Sequence, residues 1–298
     1  MKNKTILISF IIILSICFYN CFSAYINDVK IKKLYDKVAL ECKSENNTYS
    51  EYVCSKVVGE ERKVIDVYTL LYSSLNGGSE LVYFFQIPII VSAIWVVSKE
   101  IRSSFVKNYT MRKSYKDYFK HLIKKAYAGI WIYPTVMILL FILCVILSGN
   151  FNYPINNNGW QVNYLERFPS FYTGFVLNKL FFSIFYANLA LIFAKKNKSV
   201  IVGALEAIIT FFIIGIFNET IIVGLIFKKI LHIDLNNGII NILDCLAYFE
   251  VYNDYLYLLV SIVYALISFI VVYFMYRDKE KMVINCEELR GGKEYYED

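Results

Sequence analysis

The fold is decided by the stretch SKEIRSSFVKNYTMRKSYKDYFKHLIKK, residues 98–125. Nine of these 28 residues are Lys or Arg, and two are acidic. Uncharged apolar runs lie on both sides, at residues 81–97 and 126–148. Crossing ~30 Å of hydrocarbon takes about 20 apolar residues. A basic segment pinned between two such runs is expected on the cytoplasmic side, where Lys- and Arg-rich loops are retained. The chain is therefore expected to cross a membrane several times, with a patterned element between its second and third spans.

Composition points the same way. Of 298 residues, 57% are hydrophobic and 17% aromatic, against ~45–50% apolar in ordinary soluble domains. The net charge of +6 has its positives concentrated in one loop. No nucleic-acid partner is expected, because both ends of that loop are anchored in membrane. The seven Cys show no metal-ligand spacing and no C-x-x-C. Cys17, Cys21, Cys144 and Cys245 sit in apolar runs and read as small hydrophobes. Cys42 and Cys54 fall in the first outer segment, where the sequence leaves open a disulfide or two free thiols.

Six spans can be drawn, at residues 5–23, 81–97, 126–148, 175–194, 200–217 and 256–276. Helices are expected, because a lipid-exposed backbone has to satisfy its own hydrogen bonds. Lys2, Lys4, Lys195, Lys196, Lys198, Arg277, Lys279 and Lys281 flank these spans on the same side as the basic loop, whereas the opposite 149–174 segment holds only Arg167. That bias places both termini in the cytoplasm and the chain in the plasma membrane. Residues 1–24 are read as a retained anchor, with a cleaved signal peptide as the rival. Residues 24–80 form an outer loop or cap, with a helix expected over 29–42. Two apolar stretches within 218–254 are too short to span and read as outer re-entrant helices between spans five and six. Residues 277–298 form a polar cytoplasmic tail. The expected fold class is an all-α membrane protein with six transmembrane helices in a single domain over 1–298.

Polar residues inside spans are functional candidates by default. Gln86 in span two, Asn178 and Asn188 in span four, and Glu206 in span five are candidates for lining a substrate path. For Glu206 the alternative is hydrogen bonding within the helices. Lys179 is expected to snorkel outward. No catalytic set stands out. The chain has two His, His121 and His232, and no H-E-x-x-H. It also lacks G-x-x-x-x-G-K-[ST], since Gly291-Gly292-Lys293 is followed by Glu294. Neither an enzyme nor a metal site is expected.

Within the basic loop, Tyr115, Tyr118, Phe119, Leu122, Ile123 and Ala126 share one helical face. Lys113, Lys116, Asp117, Lys120, Lys124 and Lys125 occupy the other. The pattern fits a helix resting on anionic lipid and equally a helix whose apolar face plugs into a groove on a partner.

The run Lys99-Glu100-Ile101-Arg102-Ser103-Ser104-Phe105-Val106-Lys107-Asn108, with Arg112-Lys113-Ser114-Tyr115-Lys116-Asp117-Tyr118 and Lys124-Lys125, resembles the permease subunits of type-2 ABC exporters. Ser103 and Ser104 depart from that family, whose members often carry Gly there. The resemblance implies a cytoplasmic coupling helix within 98–125 and outer re-entrant helices. Coupling to an ATPase would run through Glu100, Arg102, Lys107, Arg112, Tyr115, Tyr118, Phe119 and Leu122. No cofactor would sit in this chain, because ATP and Mg would be held by a separate ABC ATPase subunit. The implied assembly is a permease dimer in the lipid membrane. It would move a small hydrophobic or amphipathic molecule or peptide outward. The alternative is a non-transporting accessory, immunity or sensor protein with the same spans.

Overall fold

The structure, a computed structural model, describes residues 4–44, 49–51, 53–54, 65–76, 86–102, 109–149, 164–218, 254–278 and 283, with a few isolated positions between 220 and 232. The side chains of 68, 72, 75, 76, 86, 164–172 and 254–257 are outside that description. The described residues are helical and contain no strand. The main helices are α1 (Lys4–Cys42), α2 (Val67–Asn76), α3 (Gln86–Arg102), α4 (Tyr115–Ala126), α5 (Ile132–Ser148), α6 (Tyr164–Lys196), α7 (Val200–Phe217) and α8 (Asp254–Tyr276).

Among the described residues, five segments are long and apolar enough to cross a membrane: Lys4–Cys42, Tyr115–Ser148, Thr173–Lys196, Val200–Phe217 and Leu258–Tyr276. The chain is a multi-pass membrane protein of all-helical class. The expected second span corresponds to α3, which has 17 residues, about 26 Å at 1.5 Å per residue. It continues past Val97 to Arg102, so Glu100 and Arg102 are helical. The expected start at 81–85, the re-entrant stretch over most of 218–254, Lys107, and the tail apart from Arg277, Asp278 and Val283 lie outside the described residues.

The chain divides into two compact units. One comprises Met1–Ile13, Leu81–Met137 and Ser170–Asp298, the other Leu14–Glu80 and Ile138–Pro169.

In the first unit, α3 packs against α7 and α4. Helix α7 has an inverted construction. Gly203, Ala204, Ala207, Phe211 and Gly215 are its buried residues. Ile201, Leu205, Ile209 and Ile213, spaced by four, are exposed. Small residues let helix backbones approach where lipid, not water, surrounds them. At Gly203 the approach is so close that a Cβ would lie 3.3 Å from the Phe193 carbonyl oxygen. A short 3-10 turn, Tyr127–Gly129, separates α4 from α5. Pro134 sits three residues into α5 and has no N–H to offer the preceding turn, which accounts for a break there rather than one unbroken helix.

In the second unit, α1 runs on past the expected span end at residue 23, through 24–42, where the sequence has neither Gly nor Pro. The helix foreseen over 29–42 is thus a continuation of the first span. Asp66 starts α2: its Oδ1 accepts from the Thr69 N–H at 2.9 Å and its Oδ2 from the Thr69 hydroxyl at 2.6 Å, a side-chain cap. Asp28 Oδ2 accepts from the Ile65 N–H at 2.9 Å. Cys42 and Cys54 are joined by a disulfide. Cys21 Sγ and Cys144 Sγ lie 3.7 Å apart.

Candidate functional site at the basic end of the helices

Helix α4 organises the site. Ser114 caps it, with its Oγ accepting from the Asp117 N–H at 3.2 Å and donating to Asp117 Oδ2 at 2.7 Å. Asp117 in the first turn and Lys124 and Lys125 in the last each suit the helix dipole. The sequence-predicted amphipathic face is real, and its destination is inside this chain. Tyr118 and Leu122 have no exposed surface, and Ala126 is almost as buried. They join Val97 and Ile101 of α3, Leu191 and Ala194 of α6, and Val272 and Tyr276 of α8 in one apolar cluster. Burying side chains of this size is worth about 1.5–3 kcal/mol each. The apolar face is therefore occupied and does not offer itself to a partner's groove.

Polar contacts lock the same arrangement. Lys125 Nζ lies 2.8 Å from Glu100 Oε1, and His121 Nε2 lies 3.7 Å from Glu100 Oε2. Both side chains of the Lys125–Glu100 pair are mostly buried, where an ion pair is screened less than at a surface. The Tyr115 hydroxyl donates to the Tyr276 carbonyl at 2.5 Å. Phe119 stacks on Tyr276, with centroids 5.9 Å apart. The Tyr276 hydroxyl donates to the Leu191 carbonyl at 2.8 Å, and Lys195 donates to the Met275 carbonyl while standing 4.9 Å from the Tyr276 ring. α4 is thus tied to the ends of α3 and α8, and α8 to the end of α6.

A second set of contacts closes the turn from α6 to α7. Arg102 Nη2 donates to the Asn197 carbonyl at 3.2 Å, and Asn197 Nδ2 donates to Glu206 Oε2 at 2.8 Å. Ser199 caps α7, accepting from the Val202 N–H at 3.5 Å. Glu206 is thereby hydrogen-bonded to the turn between α6 and α7.

Among the described side chains, Asn178, Asn188 and Glu206 are not gathered into one site. Asn188 is fully buried. It accepts from the Tyr127 hydroxyl at 2.7 Å and donates to the Ser268 hydroxyl at 2.9 Å. Asn178 is buried ten residues earlier on α6, about 15 Å along the axis. The side chain of Gln86 is outside the described residues. Lys179 corrects an expectation: it does not snorkel outward but is 1% exposed. Its Nζ lies 4.6 Å from the Phe175 ring centroid and 5.9 Å from that of Tyr133. Aromatic faces attract the ammonium group electrostatically and so replace part of the water it would otherwise seek.

Of the expected coupling residues, Glu100, Arg102, Tyr115, Tyr118, Phe119 and Leu122 converge on this end, and Arg112 stands at its exposed margin. Sequence reasoning missed Asn197, Lys195 and Tyr276. The run Lys195–Ser199, a charged turn with an Asn and an N-cap Ser between two apolar runs, carried the signal for the first two. Among the described residues no group of three or more His, Cys, Asp or Glu is placed to hold a metal ion.

No protein-family model, no curated protein and no solved structure matches the chain.

Proposed function

We propose that the chain is the membrane-spanning permease subunit of a type-2 ABC exporter. It would have six spans, cytoplasmic termini and a plasma-membrane location. The observation that carries this reading is the clamp between α4 and the ends of α3, α6 and α8. Tyr118, Leu122 and the Glu100–Lys125 pair make α4 a rigid lever, so force applied to the loop before it would reach three helices at once. Coupled helices of this kind are what alternating access needs when the chemical energy is released in another subunit.

In this reading the partner ATPase presses on the segment leading into α4, with Lys107 and Arg112 as contact residues. The buried Tyr118, Phe119 and Leu122 transmit the motion. ATP and Mg stay on the ATPase, two permease chains pair, and a small hydrophobic or amphipathic molecule or peptide moves outward. Glu206 acts in this scheme by holding the α6–α7 turn.

The test is affinity purification of the tagged chain from its native host in mild detergent, followed by mass spectrometry. An ABC ATPase recovered in near-equal amount supports the reading. Its absence from a folded, correctly inserted preparation overturns it in favour of an accessory or sensor protein.

A further inference from the structure

Lys113, Lys116, Lys120 and Lys124 are exposed at helical spacing. Beyond the 3-10 turn, Ala128, Trp131 and Thr135 are exposed. Trp131, 62% exposed, follows the last of these cations by seven residues and opens the apolar helix α5. Trp favours the headgroup level of a bilayer and aliphatic side chains its hydrocarbon. The cations are thereby set where lipid phosphates lie.

That side of α4 is hollowed. A basin of about 580 Å³ is lined by Tyr109, Arg112, Lys113, Asp117, Lys120, His121 and Lys124. Asp117 is engaged by Ser114. Among the described residues no carboxylate pairs with Arg112, Lys113, Lys120 or Lys124. Glu100 reaches Lys125 with one carboxylate oxygen, 2.8 Å away, and His121 on the basin wall with the other, 3.7 Å away. Lys113 Nζ lies 5.7 Å from the Tyr109 ring, and that ring lies 5.6 Å from His121, so the basin has an aromatic wall beside its cations.

We propose that this basin binds the phosphate headgroup of an anionic phospholipid whose acyl chains start at the level of Trp131. Lys113, Lys120 and Lys124 supply the charge, and Arg112 supplies a fork matched to phosphate oxygens. Basic clusters directly flanking a membrane helix bind anionic lipid for this reason. The inference requires that α5 crosses a membrane and is independent of any transport activity.

Trp131 provides the test. The full-length chain, with Trp95→Phe and Trp160→Phe, is reconstituted in phosphatidylcholine bilayers. Phosphatidylglycerol with brominated acyl chains is then titrated in, and quenching of Trp131 is read against brominated phosphatidylcholine. The expected result is a preference for phosphatidylglycerol of at least about fivefold, the worth of one basic residue at an anionic surface. In Lys113→Gln/Lys120→Gln/Lys124→Gln the preference should vanish while the circular dichroism spectrum is unchanged. Equal quenching by both lipids in the unsubstituted basin would overturn the proposal, as would a preference that survives the triple substitution. Loss of the preference on adding millimolar inorganic phosphate would assign the basin to a soluble phosphate compound instead. Loss on adding a purified ABC ATPase would assign the face to that partner.

Discussion

Helices α4 and α7 are built inside out with respect to one another. α4 buries an aromatic and a leucine, Tyr118 and Leu122, and presents Lys116, Lys120 and Lys124. α7 buries Gly203, Ala204, Ala207 and Gly215 around Phe211 and presents Ile201, Leu205, Ile209 and Ile213. Each helix is amphipathic in the sense set by its surroundings. The face of α4 that is left over seeks water and phosphate, while that of α7 seeks hydrocarbon. The same deletion should therefore have unequal consequences in the two helices.

The largest effect is expected from Tyr118→Asp. It sets a carboxylate in a fully buried position among Val97, Leu191 and Val272. An unpaired buried charge is costly enough that the structure gives way before the charge is accommodated. The purified protein should lose its cooperative thermal transition in detergent, while Tyr118→Phe should melt close to wild type. A normal melting temperature for Tyr118→Asp would show that α4 is not clamped. Leu122→Ala follows, with an expected loss of about 2–5 kcal/mol, the range for a leucine removed from a closed core. Chemical denaturation of the detergent-solubilised protein would measure it.

Glu100→Gln should cost less, about 1–3 kcal/mol, because it removes one partner of a charged hydrogen bond that is not entirely dry. The comparison sharpens in a double-mutant cycle with Lys125→Met. If the 2.8 Å pair is part of the clamp, the double variant should be more stable than the sum of the single losses implies. Strict additivity would reduce the pair to a surface contact.

These expectations also mark what was readable in the chain. The apolar lengths and the basic loop foretold a helical membrane protein, and the spacing from Tyr115 to Ala126 foretold an amphipathic helix. Periodicity identifies an apolar face without naming what covers it. Tyr276 lies 161 residues from the Tyr115 that bonds to it, and nothing local to either residue announces the meeting. The turn at Asn197 was hidden differently. Glu206 looked like an intramembrane acid when counted from the span boundary, and only the folded turn shows that a nearby amide reaches it. In sequence, a lysine in an apolar run such as Lys179 has few alternatives to reaching outward. The rings of Phe175 and Tyr133 supply one, and their position follows from packing between helices rather than from spacing within one.

The smallest effect is expected from Leu205→Ala, and it completes the contrast with Leu122→Ala. Leu205 is 54% exposed on the face of α7 opposite its glycines and alanines. Removing its branched end leaves no internal cavity, because the surrounding medium fills the space. In lipid the lost contacts are with acyl chains, which are available equally when neighbouring helices separate, so the folded and separated states lose them alike. Stability in lipid or detergent should stay within about 0.5 kcal/mol of wild type. A loss near that of Leu122→Ala would mean that this stripe is covered by protein rather than by lipid. The paired permease chain of the proposed function would then be the first surface to test against α7.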